Sequence, residues 1–309
     1  MEMIPNHLKP GDRIGIVAPS APVTAEVEEK FNSGIAYLHG LGFEVSLGRY
    51  VYSTSWGQGA SPQEKAADIN EMFADSSIQA ILCAQGGENA NACLPYLDYS
   101  LIQKTPKIFV GISDITVLLN ALHQKTGLIT FHGNDVIWGF GRKPKSYDRE
   151  EWISRLSEGK IGLVRAFGER VTIRRGSATG KLMGGNLHCL LKLAGTPYFP
   201  RLEGTILFLE ALSISLESCE AYFQQLDQMG VLKSLQGVVI GYIHGLQKDG
   251  GARSGMEDVL ARVSEPYAFP ILKVNDFGHN CANTVIPVGG RVHLDADAQT
   301  IEILSACVQ

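Results

Sequence analysis

Val110-Gly111-Ile112-Ser113-Asp114-Ile115-Thr116 joins two patterns of different period. The run Lys107 to Ile112 reads as a buried parallel strand. A helical pattern starts directly after it, from Asp114 to Lys125, with Leu118, Leu119 and Leu122 on one side. A serine at such a strand-to-helix turn is pushed out of the sheet with its hydroxyl exposed, and the first helical N–H groups point at whatever binds there. That placement suits a nucleophile in acyl transfer, so Ser113 is the first candidate catalytic residue. The rest of the chain is then expected to supply a base and an orienting carboxylate. Glycine stands two residues before the serine, but Ile115 occupies the place of the second glycine of the G-x-S-x-G elbow, so the ordinary α/β-hydrolase fold is a poor match.

Strands and helices alternate on the N-terminal side of this turn. Arg13 to Ala18 is a predicted strand, and Thr24 is the expected N-cap of a helix that runs through His39 and stops at Gly40. Phe43 to Leu47 is a second strand. Ser61-Pro62 opens a helix to about Ala74, with serine as cap and proline at the first helical position. Ala80 to Ala84 and Leu128 to Phe131 complete the strand set. This alternation implies right-handed crossovers and a parallel sheet covered on both faces, with sites at the carboxyl ends of its strands. Ser113, Pro19-Ser20 and Gln85-Gly86-Gly87 all fall at such ends.

The stretch from about Gly141 to Thr179 has weak periodicity and reads as a linker with one short helix, Asp148 to Ser157. A second α/β region follows. Met183-Gly184-Gly185-Asn186 leads into a helix from Leu187 to Leu193, Thr205 to Leu209 is a strand ending at Glu210, and Glu217 to Met229 is a helix. Val238 to Ile243 is another strand, and short β segments with turn signals close the chain. The expected division is a nucleophile domain over 1–142, a linker over 143–178 and a second domain over 179–309.

A chain of 309 residues with 45% hydrophobic content can bury a large core. Its net charge of −5 gives no global basic field, so nucleic acid is not an expected partner. From Arg142 to Lys181, however, eleven Lys/Arg stand against five Asp/Glu, which reads either as a solvated face or as a local attraction for an anionic substrate. No apolar run reaches the roughly 18–20 residues of a membrane span, and no signal peptide is expected at the N-terminus. Six cysteines without C-x-x-C spacing, Cys83 and Cys189 in apolar surroundings, read as reduced thiols of a cytoplasmic protein.

Serine needs a base. His279, in Val274-Asn275-Asp276-Phe277-Gly278-His279, follows a strand-like run and has glycine beside it. His132, in Phe131-His132-Gly133, is the main rival and is expected in the same sheet as Ser113, lining the site; His39 and His293 read as surface residues. Glu210, directly after four apolar residues, is either half of a structural salt bridge or the carboxylate that orients the base. The backbone N–H of Asp114 and the Gly86-Gly87 turn are the candidate oxyanion donors. Two other readings stay open: a two-domain binding protein in which Ser113 only hydrogen-bonds a ligand, and a cysteine hydrolase using Cys281 or Cys83.

Taken together, these segments resemble the LD-carboxypeptidase family of serine peptidases, which includes the microcin C self-immunity peptidases. The resemblance runs over nearly the whole chain. It rests on Gly11-Asp12 with Ile16-Val17-Ala18-Pro19-Ser20, Gly86-Gly87, Leu94-Pro95-Tyr96-Leu97-Asp98-Tyr99, Gly111-Ile112-Ser113-Asp114, Gly184-Gly185-Asn186-Leu187, Gly195-Thr196-Pro197, Leu207-Phe208-Leu209-Glu210 and Asp276-Phe277-Gly278-His279. It implies a Ser–Glu–His triad that maps onto Ser113, Glu210 and His279. The nucleophile would sit on an N-terminal Rossmann-like domain, Glu and His on a C-terminal domain, with a cleft between them. It implies a homodimer without metal or cofactor that cleaves the amide to terminal D-alanine in the murein tetrapeptide during cytoplasmic wall recycling. Where the recycling enzymes read Arg-Gly-Gly-Tyr-Gly, this chain has Gln85-Gly86-Gly87-Glu88-Asn89-Ala90-Asn91, closer to the asparagine-rich segment of the immunity branch, which cleaves an aminoacyl or peptidyl nucleotide amide. Gly86, Asn89, Asn91 and His132 are therefore the expected substrate-binding residues. The immunity branch carries a longer insert before Gly184, with an aromatic residue that stacks on the base; here Trp152 is that segment's one tryptophan, and the family's Glu-Asp pair reads Glu210-Ala211.

Overall fold

The computed structural model describes residues 2–247 and 254–309. The first lobe contains β1 (Arg13–Val17), α1 (Glu28–Gly40), β2 (Glu44–Leu47), α2 (Pro62–Ala74), β3 (Ile78–Cys83), α3 (Tyr99–Lys104), β4 (Ile108–Gly111), α4 (Thr116–Thr126) and β5 (Thr130–His132). Its five strands are parallel and lie in the order β2-β1-β3-β4-β5. The helix starts follow local chemistry. Ser61 caps α2, accepting from Glu64 N while the Glu64 side chain returns to the Ser61 N–H, and Pro62 stands at the first helical position. Helix α1 begins at Glu28, four residues beyond the expected cap, because Thr24 turns its hydroxyl to Glu26 and its carbonyl to a turn at Val27.

The second lobe continues with α5 (Ser146–Trp152), β6 (Gly162–Leu163), β7 (Val171–Arg174), β8 (Ser177–Asn186), α6 (Leu187–Leu191), β9 (Thr205–Leu212), α7 (Leu216–Gln228), α8 (Val231–Ser234), β10 (Gly237–His244), α9 (Met256–Val263), β11 (Ile271–Gly278), β12 (Ile286–Val288), β13 (Arg291–Asp295) and β14 (Thr300–Ile303). Eight of these strands form one mixed sheet in the order β6-β14-β13-β8-β9-β10-β11-β7, with the parallel run β8-β9-β10-β11 at its centre. Strand β12 leaves this sheet and adds an antiparallel strand to β5 of the first lobe.

The stretch 143–178 is therefore not a linker. It holds α5, a further helical turn to Ser157, and both edge strands β6 and β7. Its weak periodicity has a physical cause: edge strands are short and half exposed, so they carry little alternation. Trp152 from this stretch is 1% exposed and packs edge-on against Phe140. One apolar cluster runs through both sheets, so the lobes share a core.

Helix α4 docks on β8 through close backbone approach. Thr116 Oγ1 accepts from Asn186 N at 2.9 Å, and Asn120 Nδ2 donates to Gly184 O at 2.8 Å. A Cβ on Gly185 would lie 2.5 Å from Thr116 Oγ1. This contact sets the distance between the serine turn, which precedes α4, and the second sheet.

Candidate active site

Ser113 follows β4 and Ile112 and has φ +64°, the left-handed region that costs a side-chain-bearing residue about 1–2 kcal/mol. Three glycines make the turn possible. A Cβ on Gly111 would press to 2.6 Å from Ile115, and one on Gly86 would lie 2.6 Å from Ser113 Cβ and 2.9 Å from its Oγ. Gly87, at φ +151°, passes so close to Ser20 Oγ that a side chain there would collide with it. The Gly86-Gly87 loop after β3 thus lies against the serine.

The Asp114 carboxylate, fully buried, ties this region together. It accepts from Ser20 Oγ at 2.6 Å, Ala90 N at 2.7 Å and Lys192 Nζ at 2.7 Å. Loops after β1 and β3 and the end of α6 are thereby held to the residue that follows Ser113. The sequence pointed to the Asp114 backbone N–H; its side chain was missed, because three partners from distant segments leave no local pattern.

Glu210 lies inside β9 rather than after it, in register with Asn186 of β8, whose Nδ2 donates to Glu210 Oε1 at 3.1 Å. Glu210 is fully buried. His279 follows β11, at a turn held by Asn283, which accepts from Gly278 N at 2.8 Å and donates to Gly278 O. His279 Nδ1 meets Glu210 Oε2 at 2.5 Å. A carboxylate on Nδ1 fixes the proton there and leaves Nε2 as the reactive nitrogen. Burial opposes charging of His279, but the adjacent Glu210 carboxylate prevails and its pKa stands above the ordinary value, with Asp135 adding to the effect. Glu210 is held below the usual carboxylate range: burial pushes it up, and the His279 imidazole, together with His132 and the Asn186 amide, more than offsets this.

Ser113 and His279 line one cleft of about 630 Å³, together with Gly86, Gly87, Asp135 and Arg142. Glu210 stands behind His279, and Asp114 lies buried beneath the serine turn. The other expected substrate residues fall elsewhere. Asn89 accepts from Lys65 Nζ at 2.7 Å, and Asn91 is exposed on the turn Ala90–Tyr96; neither lines this cleft. His132 does not line it either. Its ring is fully buried edge-on against Phe208 and Phe277, with no hydrogen-bond partner on either nitrogen. Burial drives its pKa down to about 4, against the pull of Glu210. Alternation along β5 puts this side chain in the core, which short sequence separation from Ser113 could not reveal.

Asp135 is a further cleft residue that the sequence did not mark. It is buried, accepts from Trp138 N at 2.7 Å and Gly139 N at 2.8 Å, and burial raises its pKa to about 6 against those bonds. Cys83 is buried, and burial pushes its thiol well up; Cys281, which does line the cleft, has its thiol raised by burial as well, so neither supplies a thiolate near neutral pH. Among the described residues, no three His, Cys, Asp or Glu side chains are grouped to hold a metal ion, and no helix is long and apolar enough to cross a membrane.

Residues 14–133 match the LD-carboxypeptidase N-terminal domain, and residues 179–294 match the LD-carboxypeptidase C-terminal domain. The probable murein peptide carboxypeptidase of Bacillus subtilis is 30% identical, over 97% of this chain and 93% of that protein. The microcin C7 self-immunity protein MccF of Escherichia coli is 30% identical, over 95% of this chain and 93% of its own length. The solved structure of MccF in complex with aspartyl sulfamoyl adenosine superposes with a TM-score of 0.91 at 27% identity, covering 99% of this chain and 100% of that one.

Proposed function

This chain belongs to the LD-carboxypeptidase family of serine peptidases, and from that premise we propose that Ser113, His279 and Glu210 act as its catalytic triad on the amide that joins terminal D-alanine to the murein tetrapeptide. Ser113 attacks the carbonyl while His279 Nε2 takes the serine proton. The backbone N–H groups of Asp114 and Gly87 receive the developing oxyanion. His279 then passes the proton to the leaving amine, D-alanine departs, and the peptide is left as an ester on Ser113. A water molecule, deprotonated by His279, hydrolyses that ester and restores the serine. Glu210 holds the imidazole and stabilises its charged form.

One observation carries this reading: a buried carboxylate–imidazole pair opens onto the same cleft as a serine held in a left-handed turn. A binding protein has no need of either feature. The likeness to MccF supports a second reading, hydrolysis of an aminoacyl nucleotide amide. The tryptophans argue for the peptide. Trp152 is packed into the core, and Trp138, 39% exposed at the cleft, already carries the Arg142 guanidinium 4.3 Å from its ring centre, so a base stacking there would compete with that cation. The six unpaired cysteines support a cytoplasmic setting, and the family supports a homodimer. The division into an N-terminal nucleophile lobe and a C-terminal lobe bearing Glu and His goes with the same reading.

The test is a mass-spectrometric assay of purified protein on murein tetrapeptide and on an aminoacyl sulfamoyl adenosine. Loss of one D-alanine by the wild type, and none by Ser113→Ala, is the expected result. Cleavage of the nucleotide alone would overturn the substrate, and cleavage of both compounds by Ser113→Ala would overturn the nucleophile.

A further inference from the structure

We propose that Arg142 is the residue that binds the free carboxylate of the leaving amino acid, making an anion subsite at the mouth of the cleft beside His279. The inference rests on the peptidase reading above and deepens it.

Of the cations between Arg142 and Lys181, most are spent within the fold. Arg155 pairs with Glu151, Arg165 with Glu150, Arg170 with Asp276, Arg175 with Asp297, Lys160 with Glu158 and Lys181 with Glu2. Arg174 donates to the carbonyls of Ala261 and Ser264. Most of the cations in this stretch therefore hold the fold together, Arg155 and Arg170 in buried pairs. Arg142 differs. Like Lys143 and Lys145 it lines the cleft, and among the described residues no carboxylate lies within ion-pair distance of it; of the three it is the one hydrogen-bonded to Asn280, beside His279, whereas Lys145 sits over the Phe167 ring.

Its side chain is nevertheless fixed. The guanidinium stacks on Trp138, whose Nε1 is anchored to Gln85 Oε1 at 2.9 Å, and its NH1 donates to Asn280 Oδ1 at 2.6 Å. Both partners are neutral, so they orient the group without cancelling its charge. A guanidinium held by a ring face and one amide oxygen keeps other N–H donors for a planar anion.

The position matches the chemistry. In amide cleavage His279 delivers its proton to the leaving nitrogen, so that nitrogen sits against the imidazole. The carboxylate of a C-terminal amino acid is only one carbon further from it. Asn280, which holds Arg142, is the chain neighbour of His279, and its own φ of +58° turns the chain at that point. A cation tethered there stands on the leaving-group side of the scissile bond.

The experiment compares two substrates, an acylated peptide ending in free D-alanine and the same peptide ending in D-alaninamide, with wild type, Arg142→Gln and Arg142→Lys. Wild type should favour the acid over the amide by about 10–100-fold in kcat/KM, mostly through KM. Arg142→Gln should bring the ratio to within a few-fold, and Arg142→Lys should fall between them. A folding defect lowers turnover of both substrates alike and leaves the ratio intact. Should Arg142→Gln not fold, the ratio for Arg142→Lys and competitive inhibition of the wild type by D-alanine against D-alaninamide decide the matter. Wild type that favours the acid, with the preference undiminished in both variants, would overturn the subsite. So would wild type that cleaves acid and amide equally well, which leaves the peptidase reading standing. Wild type that cleaves neither compound would overturn the peptidase reading itself.

Discussion

His279 Nδ1 lies 2.5 Å from Glu210 Oε2, a contact that joins the end of β11 to the middle of β9 with β10 between them. The carboxylate is buried and has a second partner in Asn186, so it cannot follow the imidazole if the ring moves. The pair is a fixed frame for the ring.

Glu210→Gln keeps the shape and removes the charge. In the proposed mechanism His279 must be neutral to accept the serine proton, and Glu210 keeps its pKa above the ordinary histidine value. Removing the carboxylate lowers that pKa, so the acid limb of kcat/KM against pH should move to lower pH. The plateau rate should drop by about 10³–10⁴-fold, as when a triad loses its orienting charge. A limb that stays in place would remove Glu210 from contact with the titrating group.

Ser113→Gly and Ser113→Ala should both abolish hydrolysis yet differ in stability. The glycine variant relieves the left-handed backbone and should be more stable than the alanine variant by about 1 kcal/mol. Urea denaturation of the two proteins measures this directly, and equal midpoints would mean that the turn stores no strain.

Gly86→Ala places a methyl group 2.6 Å from Ser113 Cβ. The serine must shift to accommodate it. The expected result is a folded protein with kcat reduced by about 10²-fold, the cost of a misplacement near 1 Å. Unchanged turnover would show that the serine has more room than the packing allows.

His132→Leu tests the rival base. The ring is buried without hydrogen bonds and has a pKa near 4, below the value of about 6.5 for an unfolded chain. The unfolded chain therefore binds the proton first as pH falls through that window, and the wild type loses stability there, on the order of 3 kcal/mol once pH is below 4. The variant should lack that loss and keep hydrolysis within a few-fold. Loss of turnover with the fold intact would restore His132 as a catalytic candidate.

Asp114→Asn should cost about 3 kcal/mol, because it leaves the Lys192 ammonium, 15% exposed, without its closest charged partner. The Ser20 and Ala90 loops lose an ionised acceptor in the same change. Thermal unfolding reads the first effect, and a fall in kcat reads the second. A Tm equal to that of wild type would mean that the pair holds nothing together.

The parallel strands before Ser113, the capped helix at Ser61 and the serine turn itself are each written in a few consecutive residues, so they were legible in the sequence. Glu210 and His279 were legible as candidates because an acid after an apolar run, and a histidine after glycine at a strand end, are locally odd. Asn89 and Asn91 were misjudged because being near Gly87 in sequence does not bring a side chain to the cleft: Asn89 turns instead to Lys65 on α2. The edge strands in 143–178, and β12 crossing to the first sheet, had no signature because their partners lie 97 or more residues away.

From the chain of letters alone follow the α/β class, the lobe order, the serine turn and the candidates for its partners. These depend on periodicity, capping and backbone sterics, which act over a turn or a strand. Only the folded molecule decides which histidine meets the carboxylate, where Asp114 sends its charge, and that Arg142, Lys143 and Lys145 are the cations that face the cleft. Those outcomes depend on desolvation and on charges meeting across 69 or more residues of chain, and neither exists until the two sheets have closed on one core.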